Sequence, residues 1–121
     1  MSPKRARSRL LAARRIAVLR DDALGDLVLT LPMFSVLRAR CPDAQLHLLC
    51  RRYVGALVAG SPVIDQVHFV DTITGGVGAV LAGGGFDALF LPRIRDVDCW
   101  GAWRAGIPLR VGSGYRWYSF L

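Results

Sequence analysis

The chain is poor in the features that mark several large protein classes. Its three cysteines, Cys41, Cys50 and Cys99, form no CxxC pair, show no metal-ligand spacing and are odd in number. Such a set reads as buried or incidental thiols in a reducing compartment, not as a disulfide framework or a zinc site. No stretch reaches the roughly 20 apolar residues that a membrane-spanning helix needs. The first fifteen residues hold no acid, no aromatic ring on which a base could stack and no apolar centre of a secretory signal. No G-x-G-x-x-G turn follows the first apolar run, and a Walker A loop is absent. The fragments GVGAVL and GSGYRW lack the third glycine of a dinucleotide fingerprint. Dinucleotide-dependent redox chemistry and P-loop chemistry are therefore disfavoured.

What remains is the composition of one globular domain: 121 residues, 53% apolar and 21% charged. The net charge of +7 is lopsided. Lys4, Arg5, Arg7, Arg9, Arg14 and Arg15 put +6 into the first fifteen residues and leave +1 for the rest. Residues 1–14 are expected as a basic, disordered tail. A solvated leader, a patch for anionic lipid, a nucleic-acid arm and an organellar transit peptide are the alternatives for it. Nucleic acid is not an expected partner, because the tryptophans lie at the opposite end of the chain.

Beyond the tail, short apolar runs alternate with segments of helical period. RIAVLR (15–20) reads as a strand covered on both faces. Leu27, Val28, Leu31, Phe34 and Leu37 then recur at three and four, predicting a helix from Asp26 to about Arg40 that starts late or kinks at Pro32. QLHLLC, QVHFV, DALFLP and PLRVGSG are the next strands. RRYVGALVAG reads as a short helix ended by Gly60, ITGGVGAVLAGGG as a glycine-diluted helix, and DVDCWGAWRAG as a helix closed by Gly106. Repeated strand–helix alternation with short joints predicts an α/β fold, a parallel sheet with helices on both faces. His47 and His68 fall inside predicted strands and are expected to be structural.

Ligands of such sheets sit beyond the carboxyl ends of the strands, near the point where strand order reverses. The first strand there runs into RDDALGD, with Asp21, Asp22 and Asp26 around Gly25 and Arg20 just before them. Carboxylates at that turn would repel phosphate. They suit helix capping, or a general base within reach of a substrate hydroxyl, with Arg20 orienting the base or binding an anion.

IAVLRDDALGDLVLTLP, together with RARCPDAQLHLLCRR, SPVIDQVHFVD, FDALFLPR and RAGIPLRVGSGYRWYSFL, resembles the heptosyltransferase-type enzymes of glycosyltransferase family 9. The resemblance covers nearly all of the chain after the tail. It implies that residues 15–121 are the Rossmann-like, acceptor-binding N-terminal half of a GT-B glycosyltransferase. It implies a metal-independent enzyme that moves a sugar with inversion from a nucleotide-sugar, ADP-heptose by the family pattern, to a lipopolysaccharide core or related glycolipid acceptor. No cofactor is implied. Asp26 matches the family's proposed general base and Arg20 its basic strand-end residue. Asp22 and Gly25, beside them, are candidate substrate contacts. The sequence LPRIRD departs from the family's polar element after the fourth strand, and its Arg93 and Arg95 serve an anionic acceptor or a plain loop. The chain stops at Leu121 without a donor half, so activity in isolation is not expected. A cytoplasmic location, peripheral on the inner face of the cytoplasmic membrane, would suit such an acceptor. Trp100, Trp103, Tyr115, Trp117, Tyr118 and Phe120 read as core packing, with a surface for another domain or a bilayer as the alternative. A non-catalytic α/β module that binds an anionic ligand or a protein is the competing function.

Overall fold

The computed structural model describes residues 3–19, 24–58, 60–91 and 103–112, with the backbone alone for 3, 6, 24–30, 54, 56–57 and 111–112. The described residues form helix α1 (Pro3–Ala12), strand β1 (Arg15–Leu19), helix α2 (Leu24–Arg40) and strand β2 (Gln45–Cys50). A 3-10 turn (Arg52–Val54) and the short helix α3 (Gly55–Val58) follow. Strand β3 (Gln66–Phe69), helix α4 (Gly76–Gly84), strand β4 (Ala88–Leu91) and strand β5 (Leu109–Gly112) complete them.

The strands lie in the order β3-β2-β1-β4-β5, and each neighbouring pair is parallel. This is the expected Rossmann-like α/β sheet. Alternation along each strand divides the core in two. Ile16, Val18, Leu46, Leu48, Cys50 and Ala88 face a layer built by Phe34 and Leu37 of α2, Val58 of α3 and Leu10 of α1. Ala17, Leu19, Leu49, Leu89 and Leu91 face Leu81, Val77 and Val80 of α4. Helices cover both faces, which is why the strands read as continuous apolar runs.

Two expectations meet a different structure. Within residues 1–14, expected as a disordered tail, Pro3–Ala12 is helical. Proline suits a first helical turn, the arginines are good helix formers, and the short apolar spacing of Leu10 and Ala13 reaches the first core layer. Arg9 Nη1 also donates to Pro108 O at 3.3 Å, tying α1 to the start of β5. The second difference is α2, which begins at Leu24 and carries Pro32 inside it. Pro32 forfeits one backbone hydrogen bond, and the burial of Phe34 and Leu37 beyond it holds the helix in place.

Glycine is required at two of the joints. Gly60 turns the chain after α3 at φ +79°, and Gly85 ends α4 at φ +62°, both in the left-handed region. The expected helix closed by Gly106 is described only from Trp103, where Trp103 and Arg104 are helical and Gly106 turns at φ +73°. Cys41 and Cys50 are buried free thiols, as expected for incidental cysteines; Cys99 lies outside the described residues.

Candidate functional site

The strand order reverses between β1 and β4. The chain steps outward from β1 to β2 and β3, then returns through α4 to place β4 on the other side of β1. Open parallel sheets bind ligands in the crevice beyond the carboxyl ends at such a reversal. Ile16 pairs with Ala88, Ala17 with Leu89 and Val18 with Phe90, so Leu19 and Leu91 end side by side. At the opposite end the same two strands are pinned. The Arg14 and Arg15 amides donate to Asp87 Oδ2 at 2.9 and 3.1 Å, and the Asp87 amide donates to Arg15 O at 2.8 Å. A carboxylate at the amino end thereby sets the register that brings two distant segments to one edge.

The candidate residues divide between those segments. Gly25 and Asp26 occupy the first turn of α2; the Asp26 side chain lies outside the described residues. Arg20 and Asp22, in the stretch after Leu19, and Arg93 and Arg95, in the stretch after Leu91, also lie outside them. The described backbone therefore supplies the frame: both stretches depart from neighbouring strand ends at the reversal point, and α2 starts there.

Two residues at the same edge escaped the sequence reading. Arg51 and Arg52 directly follow β2, the other neighbour of β1, and both are exposed. The Arg52 amide donates to Asp71 Oδ1 at 2.9 Å, fastening the carboxyl end of β2 to that of β3 while the guanidinium stays in solvent. The strand-end logic that selected Arg20 applies equally to the RR after QLHLLC, and that was the available signal. The neighbouring Tyr53 is 63% exposed.

The histidines stand elsewhere. His47 is 1% exposed, and its Nδ1 lies 2.9 Å from His68 Nε2 on the α4 side of the sheet. Burial, then the Arg15 and His68 charges, push His47 down to about 4, against an opposing pull from Asp65. Burial and Arg15 also lower His68. Among the described residues, no three His, Cys, Asp or Glu side chains gather as a metal ion would require. No helix among them is long and apolar enough to cross a membrane.

No protein-family profile matches the chain, and no curated protein matches it in sequence. Solved structures do match in shape. A glycosyl transferase family 9 crystal structure from Veillonella parvula superposes with a TM-score of 0.72 at 23% identity, over 87% of this chain and 33% of that one. The ADP-heptose LPS heptosyltransferase II of E. coli superposes with a TM-score of 0.68 at 21% identity, over 81% of this chain and 30% of that one. The chain thus has a glycosyltransferase-like fold and spans about a third of the length of these neighbours.

Proposed function

We propose that residues 15–121 are the acceptor-binding unit of an inverting, family 9 sugar transferase of GT-B architecture, with α1 as a basic appendage. One observation carries this reading: in a fold shared with two sugar transferases, the β1–β4 reversal aligns the exits toward 20–26 and 92–95 at one edge. The donor in this reading is a nucleotide-sugar of the ADP-heptose type, bound by a partner unit or domain. The acceptor is an anionic glycolipid such as a lipopolysaccharide core. No metal takes part.

Asp26 is the proposed general base. Its carboxylate takes the proton of an acceptor hydroxyl as that oxygen forms a bond to the anomeric carbon. On the opposite side the bond to the diphosphate breaks, the diphosphate leaves with the electron pair, and the configuration inverts. Charge in the transition state resembles the oxocarbenium ion of glycoside hydrolysis. Arg20, Asp22 and Gly25 line the acceptor path in this assignment, with Arg93 and Arg95 on the β4 side. Arg51 and Arg52, exposed at the adjoining strand end, add positive charge on the β2 side.

Two measurements test the proposal. Titrating the chain with a phosphorylated heptose acceptor should shift NMR resonances of residues 20–26, 51–52 and 92–95 selectively. Shifts confined to other surfaces would refute it. In a protein where the chain is joined to its donor-binding unit, Asp26→Asn should lower turnover by about 10²-fold, the scale of general-base loss. Turnover near wild type would leave Asp26 a helix-start residue and favour a non-catalytic binding module.

A peripheral membrane contact through α1 belongs to the same proposal. Lys4, Arg5, Arg7 and Leu11 are exposed on it, and a basic surface gains about 1 kcal/mol per residue near anionic lipid. Lys4→Glu/Arg7→Glu should reduce co-sedimentation with anionic vesicles; unchanged co-sedimentation would remove the membrane from the proposal.

A further inference from the structure

On the sheet face covered by α4, a connected row of polar side chains runs across three strands and has no part in the sugar-transfer proposal. Arg15 on β1 donates through Nη1 to Gln45 Oε1 at 2.8 Å and through Nε to Gly84 O at 2.7 Å. Its guanidinium carbon stands 5.7 Å from the centre of the Phe86 ring, within cation–π range. Arg15 can only donate, so the Gln45 amide must turn its oxygen toward it. The same oxygen lies 3.4 Å from His47 Nε2, which places the ring hydrogen on that nitrogen and leaves Nδ1 as a bare acceptor. His68 Nε2, 2.9 Å from His47 Nδ1, must then be the donor. Orientation passes along the row in one direction and ends at His68 Nδ1, on edge strand β3.

The two imidazoles are tilted by 11°, with centres 5.2 Å apart, and their N···N separation is a hydrogen-bond length. Phe86 closes edge-on over both, its centre 5.0 Å from His47 and 6.5 Å from His68. One proton can enter at His68 Nδ1 and strengthen the bond between the rings. A second has to land on His47 Nδ1, the acceptor, and would set two N–H groups against each other.

The charges facing the pair are few. Arg15 comes from β1 and Asp65 from the turn before β3. The α4–β4 turn offers Phe86 and the Gly84 carbonyl, neither ionisable, while its one carboxylate, Asp87, is turned to the Arg14 and Arg15 amides. Cationic surroundings and burial both resist protonation, in keeping with the lowered His47 value of about 4. The sign follows: an unfolded chain takes up the His47 proton near 6.5 and the folded one only near 4, so stability is complete above that window and declines as pH falls through it.

We propose that Arg15, Gln45, His47 and His68 form an acid-sensitive clasp that holds the α4–β4 turn onto the sheet at neutral pH and releases it when His47 is protonated. Gly84 O and Phe86 are the points of attachment. Release loosens the entry to β4, the strand that leads to the candidate acceptor edge.

Imidazole ¹⁵N spectra of the full chain at pH 7.5 should show both rings protonated on Nε2, with His68 titrating before His47. Amide exchange at residues 84–88, corrected for intrinsic rates, should quicken at least tenfold relative to β1 between pH 7.5 and 4.5. His47→Gln keeps an acceptor for His68 and has no group to titrate, so its exchange should lose this pH dependence. His68→Gln removes the neighbouring charge while preserving a donor, and should move the transition to higher pH. Equal protection at both pH values in the wild-type chain, both histidines titrating near 6.5, or an unshifted transition in His68→Gln would each overturn the clasp. The His68→Gln arm and the wild-type spectra decide the matter even if His47→Gln does not fold.

Discussion

Arg38 offers the sharpest test of how the fold is tied together, because one side chain joins three segments. It leaves the last turn of α2, and Nη1 donates to Ala44 O at 2.7 Å and Pro42 O at 3.3 Å, in the loop before β2. Nη2 donates to Asp65 Oδ2 at 2.5 Å and Val63 O at 3.4 Å, in the turn before β3. Asp65 Oδ2 also accepts the Leu46 amide at 2.7 Å, which completes the link to β2. The two short guanidinium bonds contribute about 1 kcal/mol each and the two long ones less. The ion-pair component is discounted to at most about 1 kcal/mol, since its side chains are 28% and 44% exposed. Arg38→Ala should therefore cost about 2–3 kcal/mol, or a Tm lower by about 8–12 °C for a domain of this size.

Chemical denaturation of the wild-type chain, Arg38→Ala, Asp65→Ala and the double variant would measure this directly, with an expected coupling of about 1 kcal/mol. Arg38→Lys, which lacks the fork to reach a carbonyl and a carboxylate together, should recover less than half of the loss. The acid limb provides a separate check. Burial alone would raise the Asp65 carboxyl, but the Leu46 amide and the Arg38 guanidinium hold it below its ordinary 3.8. Its contribution is complete above the ordinary value and is lost as pH falls through the lowered one, so Arg38→Ala should flatten stability in that window. A cost of Arg38→Ala under about 0.5 kcal/mol, the range of ordinary surface changes, would refute the reasoning.

Two further outcomes follow from burial. Phe34 is fully buried and Val36, two residues on in α2, is 59% exposed; Phe34→Ala should cost about 3–5 kcal/mol and Val36→Ala under about 0.5, read by denaturant midpoint. Burial raises the Cys41 thiol, and burial together with Asp71 pushes Cys50 up to about 11. Both should resist alkylation at pH 7.5 until the chain unfolds, as mass spectrometry of labelled peptides would report. Prompt labelling of either in the folded chain would contradict its placement.

Much of the fold is legible in the sequence alone. Runs such as IAVL, and LHLLC with its single histidine, are short and predominantly apolar, as a strand covered on both faces requires. Gly60 and Gly106 marked turns because a side chain is strained where φ is positive. α1 was not legible. Its few apolar residues sit among arginines, and its helicity depends on Leu10 and Ala13 reaching a core layer built by distant residues. The candidate site was half legible. The acids after β1 and the arginines after β4 follow from strand-end logic, and the same logic points to Arg51 and Arg52 after β2; that β2 adjoins β1 at this edge is a matter of strand order, which local pattern does not carry.

The alternation of runs by itself determined an α/β sheet with two covered faces, since the periods of strand and helix are local properties of the backbone. Which strands adjoin was decided only by the tertiary structure. The return through α4 seats β4 against β1, and pairing between segments far apart in the chain leaves no local periodic trace. The same holds for the histidines: each was legible as a strand residue, but their hydrogen bond exists because β2 and β3 register His47 and His68 on one face. Long-range register, not local pattern, put these groups together.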